Sequence, residues 1–147
     1  RVRSSAASDV YKRQPQLRQM SYSTRYPCPC CGYFMFESPP GSDDICAICF
    51  WEDDVSQLRF PSTGGGANKV SLIEGQHNFE KFGARELCLL SNVRKPKPED
   101  RRDSEWHPID ANKDTNIEVP VRGTDYGETY PADLNVLYYW RRTYWRR

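Results

Sequence analysis

A small α+β fold, with zinc-ribbon-like β-hairpins, one or two short helices and an extended tail, is predicted by three features of this 147-residue chain. Two C-x₂-C pairs, Cys28/Cys31 and Cys46/Cys49, flank a 14-residue stretch from Gly32 to Ile45. Each pair is followed by an aromatic-rich apolar run, Tyr33-Phe34-Met35-Phe36 and Phe50-Trp51, of the kind that forms short strands. A helix start signal, Ser71-Leu72-Ile73-Glu74, lies beyond them. Eleven prolines, nine glycines and a mean hydropathy of −0.83 leave a modest apolar core, so such a chain gains from a staple.

The first 19 residues are set apart before the elements are read. Ser4 to Gln14 resembles the read-through translation of a sequencing-library adapter, and Met20 is the first methionine, so residues 1–19 are expected to be disordered upstream read-through. A disordered basic arm is the alternative. The whole chain is balanced at +1; without those residues, which carry five basic side chains and one acidic, the charge is −3. That balance excludes a general attraction to phosphate backbones or anionic membranes, and no apolar run is long enough to span a bilayer.

The cysteines carry the chemistry. A C-x₂-C turn folds two thiolates towards one point, and two such turns offer the four sulfurs that Zn²⁺ takes in a closed tetrahedral site. Cys28, Cys31, Cys46 and Cys49 are therefore the expected zinc ligands, with Gly32 placed where a knuckle needs positive φ. A site closed by four thiolates leaves no position for a metal-bound water, so catalysis by the metal is not expected. Cys30, inside the first knuckle, reads as a spectator, or alternatively as a substitute ligand or redox-active thiol. Without a secretory leader, the expected setting is a reducing cytoplasm, where paired cysteines bind metal rather than each other. Cys88, in Glu86-Leu87-Cys88-Leu89-Leu90, is expected to be a buried small apolar residue.

The remaining elements follow in order. Tyr33 to Phe36 forms a strand ended by Pro39-Pro40-Gly41, and Phe50-Trp51 should continue into another. Glu52-Asp53-Asp54 reads as a solvated acidic rim rather than a cation site. Gly64-Gly65-Gly66 lacks the Gly-Lys-Ser/Thr of a phosphate loop and reads as a flexible connector. Ser71 caps a helix running to about Lys81, with Leu72, Gly75, Phe79 and Phe82 on one stripe, and Gly83 ends it. A second short helix over Ala84 to Asn92 is expected to bury Leu87, Leu90 and Cys88. Residues 98–131, rich in charge, proline and glycine, read as an extended connector. Residues 132–147 form an aromatic, arginine-rich segment that fits helical and strand periods equally. It suits packing on the ribbon, a protein interface or base stacking. His77 and His107 read as surface histidines, since four thiolates already complete a site.

The residues Tyr26-Pro27-Cys28-Pro29-Cys30-Cys31-Gly32-Tyr33, Ile45-Cys46-Ala47-Ile48-Cys49-Phe50-Trp51-Glu52-Asp53-Asp54 and Gly65 to Leu72 resemble the cysteine-rich CPCC family of small bacterial proteins. Asn78-Phe79, Phe82-Gly83-Ala84 and Asn92-Val93-Arg94-Lys95-Pro96 extend the resemblance, which covers residues 25–97. It implies the ribbon and the metal site but no activity. No Ser-His-Asp, Cys-His or paired-carboxylate arrangement emerges from the residues, so an enzyme is not expected. The function expected is a non-catalytic, zinc-binding accessory domain acting through contacts with a protein partner. The alternative is a nucleic-acid-binding ribbon using the C-terminal arginines and aromatics.

Overall fold

The computed structural model describes residues 25–121 and 128–147, and the reading of residues 1–19 lies outside them. Strand β1 (Tyr26–Pro27) pairs antiparallel with β2 (Phe34–Phe36), with a register irregularity at Tyr26/Pro27. The hairpin is short because the first knuckle is its turn: Cys28 N donates to Tyr33 O at 2.8 Å and Gly32 N donates to Cys28 O at 2.7 Å. On its other side, Tyr33 forms an isolated antiparallel bridge with Arg102.

The strand expected after the second knuckle is reduced to a single bridge, Ile45 with Glu52. The chain turns away at once because Asp54 caps a helix. Its carboxylate accepts from Ser56 N at 2.8 Å and Gln57 N at 3.2 Å, opening α1 (Val55–Arg59). Asp53 is buried and accepts from Ser42 N and Ser42 Oγ at 3.1 and 2.7 Å. The acidic trio is thus not a solvated rim: two of its carboxylates satisfy backbone donors that the fold would otherwise leave unpaired.

Nor is the triglycine loop a free connector. Asp54 accepts from Ala67 N at 2.9 Å, and Gly65 N donates to Lys69 O at 2.9 Å. Gln57, fully buried on α1, donates through Nε2 to Thr63 O, Asn68 O and Val70 O at 3.0–3.1 Å, and its Oε1 accepts from Asn68. Buried Asn68 reaches on to Glu52 N and O at 2.9 and 2.8 Å. One glutamine and one asparagine so hold the loop as a backbone ladder would.

Helix α2 (Leu72–Phe82) matches its sequence signals. Ser71 Oγ accepts from Glu74 N at 3.1 Å, and Gly83 closes the helix in the left-handed region. Leu72 and Gly75 are buried as the stripe predicted, but Gln76 joins them, while Phe79 and Phe82 stay half-exposed. The following segment is a 3₁₀ helix over Leu87–Asn92, and it buries none of its residues. Leu87 and Leu90 are 64 % and 42 % exposed, and Cys88 is exposed, opposite to expectation. The cause is tethering at both ends: Arg85 N donates to Cys49 O and Arg94 N to Ala47 O, so the middle bows outward.

Residues 98–121 contain no helix or strand, yet they wrap the ribbon. Phe34 N donates to Arg101 O, Asp103 N to Gly32 O, and the Trp106 indole to Pro29 O, all at 2.8–2.9 Å. A second 3₁₀ helix, Leu134–Leu137, leads into Tyr138, Tyr139, Trp140 and Tyr144, all buried in the core with Phe36, Trp51 and Leu58. Buried Asp103 anchors this segment, accepting from the Trp140 indole at 3.0 Å and pairing with Arg141 at 2.6 Å. The described residues include no helix long and apolar enough to cross a membrane.

Candidate metal centre

Two knuckles with one backbone design face each other. In the second, Phe50 N donates to Cys46 O at 2.8 Å and Cys46 N to Trp51 O at 2.9 Å, repeating the two bonds of the first. Both turns need a left-handed residue after the second cysteine. Gly32 supplies it at φ 81°, and Phe50, which no sequence signal pointed to, supplies it at φ 67°.

The turns bring Cys28, Cys31, Cys46 and Cys49 together, their sulfurs all within 4.8 Å of one another. All four are fully buried. Cys28 Sγ lies 3.5 Å from Cys49 Sγ, and Cys31 Sγ 3.7 Å from Cys46 Sγ. A tetrahedron with metal–sulfur bonds of ~2.3 Å has edges of ~3.8 Å, so the thiols already stand near the spacing a single ion would impose. Trp51 N points at Cys49 Sγ from 3.4 Å, a backbone donor that stabilises thiolate charge.

The electrostatics match. Burial pushes the Cys28 and Cys49 thiols well above their ordinary range and Cys31 up to about 11. Burial acts on Cys46 in the same direction, but hydrogen bonds from Cys28, Cys31 and Cys49 outweigh it and hold Cys46 well below that range. A cation is what allows buried thiols in such a cluster to ionise together. The set can hold one metal ion, and among the described residues no His, Asp or Glu joins the four thiols.

Cys30 is fully buried but stands outside this group of four. It faces α2, where a Cβ placed on Gly75 would meet Cys30 Sγ at 3.3 Å and the Trp51 ring at 3.2 Å. Gly75 is therefore the point at which the helix closes onto the knuckle. Neither histidine joins the thiols: His77 is exposed, and His107 Nε2 lies 3.0 Å from an Asp114 oxygen.

Around the thiols lies a shell that sequence reasoning missed. Arg102 donates to Cys31 O at 2.8 Å and stacks over Tyr33 and Trp106. Gln76, 1 % exposed, donates to Pro29 O at 2.9 Å and to Tyr139 Oη at 3.0 Å, and accepts from Ile109 N at 2.9 Å. Tyr139 in turn donates to His107 O. The bonds among these residues span 32 to 71 positions of sequence, which is why no local spacing announces them.

Fold and thiol cluster together define a small ribbon-like protein built around a four-cysteine metal-binding group. The family model "Cysteine-rich CPCC" matches residues 26–100, just over half of the chain, and the chain belongs to that family. No curated protein matches it. The matched region ends on Asp100, whose carboxylate pairs with Arg94 at 2.6 Å and accepts from Lys97 N at 2.7 Å. Residues beyond the match complete the structure by supplying Asp103, Trp106 and the buried C-terminal aromatics.

Proposed function

We propose that the protein is a zinc-stabilised, non-catalytic binding module that works through protein contacts in a reducing, cytoplasmic setting. The observation that carries this reading is the closed donor set: four buried thiols at tetrahedral spacing, with no His, Asp or Glu joining them among the described residues. Tetrahedral sulfur coordination suits zinc or iron, and zinc serves as the structural ion when no redox chemistry is required. Five buried thiols kept apart from oxidation favour a compartment where glutathione holds cysteines reduced.

The position of the C-terminal aromatics favours protein contacts over nucleic acid. Tyr138, Tyr139, Trp140 and Tyr144 face the core, so base stacking by them would require the tail to detach. Arg141 and Arg146 are engaged by Asp103 and Glu118. Arg101 over Phe34 and Arg102 over Tyr33 remain the arrangement best suited to a nucleic acid.

The test is elemental analysis of the purified chain and of single Cys→Ser variants, followed by co-purification from the native host. One zinc per chain is expected, lost on substitution of Cys28, Cys31, Cys46 or Cys49 and retained in Cys30→Ser, together with a stoichiometric protein partner. Iron in place of zinc, or tight salt-sensitive binding to oligonucleotides without any protein partner, would refute the reading.

A further inference from the structure

The surface between α2 and the segment after the first 3₁₀ helix is not used by the thiol cluster or by the C-terminal wrap. Phe79, Phe82, Leu90, Val93 and Pro96 line a groove there of about 230 Å³. A cavity of ~150 Å³ accepts benzene, so the groove has room for one large apolar side chain. Leu90, in its lining, is 42 % exposed, and Leu87, three residues earlier on the same 3₁₀ helix, is 64 % exposed. Exposed leucines grouped beside half-exposed phenylalanines are unusual on a small protein whose core is short of apolar residues.

The rim is basic. Arg94 and Lys95 line the groove, Lys97 follows, and Lys81 stands at the end of α2. Arg94 is committed to Asp100, but Lys81, Lys95 and Lys97 form no ion pair among the described residues. The body from Met20 to Asp133, this rim included, carries a net charge of −7, so the rim is a local reversal of sign.

We infer that this groove docks a short acidic segment of a partner protein, one apolar side chain entering among Phe79, Phe82, Leu90 and Val93 while flanking carboxylates meet Lys81, Lys95 and Lys97. The inference deepens the protein-contact reading and rests on it. A second copy of this chain fits poorly, because a twofold contact over the groove would set the same lysines against each other. Depth favours a side chain over a bilayer: the phenyl rings form the walls of a recess rather than a protruding wedge.

The experiment uses the full zinc-loaded chain and a short fluorescein-labelled peptide with one central tryptophan flanked by glutamates, alongside a lysine-flanked control. The expected result is saturable, salt-sensitive anisotropy for the acidic peptide, with NMR shifts at Phe79, Phe82, Leu90 and Val93. Leu90→Glu should weaken binding by about tenfold or more, a loss of ~1.4 kcal/mol. Because Leu90 is exposed, that variant keeps its fold. Lys95→Glu combined with Lys97→Glu should transfer preference to the lysine-flanked peptide. Equal binding of both peptides, no shifts at up to about 1 mM peptide, self-association through Leu87 and Leu90, or attachment to phosphatidylserine vesicles instead of peptide would each overturn the inference. If the native partner co-purifies equally with wild type and with Leu90→Glu, the groove is discarded and the protein-contact reading stands.

Discussion

Gly32 and Phe50 occupy equivalent places in the two knuckles, yet their tolerance of change differs. A side chain on Gly32 would have to keep φ 81° and would place Cβ 2.6 Å from the Trp106 ring. The left-handed region costs an L-residue about 1–2 kcal/mol, and overpacking adds about 1–3 kcal/mol. Gly32→Ala is therefore expected to destabilise the metal-loaded protein by about 2–4 kcal/mol, read from denaturant midpoints at fixed metal. The thiols offer a second measurement at this scale. Cys88 is the exposed cysteine and the other five are buried, so one equivalent of maleimide should react quickly with the loaded protein, at Cys88. Mass spectrometry should find the remaining five modified only after the metal is chelated; rapid labelling of Cys30 in the loaded protein would contradict this placement.

At the scale of elements, α2 was legible because its signals are local. Ser71 and Gly83 act on backbone groups within three or four residues of themselves, and a sequence displays such distances directly. The knuckles were legible for the same reason. What could not be read was the role of polar residues whose partners lie far along the chain. Asp53 and Asp54 look like surface charge until Ser42 and Ala67 are seen beside them, and Gln57 looks unremarkable until three carbonyls converge on it. Leu87 and Leu90 misled in the opposite sense: apolar spacing shows that a face exists but not that anything covers it. Gln57→Leu keeps the volume while taking the partner from buried Asn68 N and from the carbonyls of Thr63, Asn68 and Val70. With each unsatisfied buried group costing about 1–3 kcal/mol, a loss of about 2–4 kcal/mol is expected. Hydrogen exchange should show the damage concentrated in residues 63–70; uniform loosening of the whole chain would argue against a local clasp.

For the molecule as a whole, stability depends on how residues beyond the family match are fastened to the ribbon. Arg59, 3 % exposed, is enclosed by Phe60, Tyr130 and Trp145 at 4.6–4.9 Å and pairs with Glu118 at 3.0 Å. Burial raises the Glu118 carboxyl, but bonds from Arg59 and then Arg146 outweigh it and hold the group below its ordinary 4.5. A depressed acid contributes stability that is complete above its unfolded value and disappears as the pH falls through its folded one. Glu118→Gln should thus cost about 1–3 kcal/mol near neutrality, and the gap from wild type should narrow as the pH drops below 4.5. Paired denaturation curves isolate this effect, because acid acts on the thiols of both proteins alike; a gap independent of pH would exclude the ion pair as its source.

The carbonyl of Pro29 has a consequence of another kind. It belongs to the first knuckle, and it is gripped from one side by Gln76 and from the other by Trp106. A knuckle that loses its ion and its turn releases both grips together, freeing α2 on one flank and the 103–109 wrap on the other. A protease would then meet cleavable backbone far from any cysteine. Metal starvation in a cell would in this way be converted into shortened protein lifetime, so the abundance of the protein would report metal supply without any dedicated sensor.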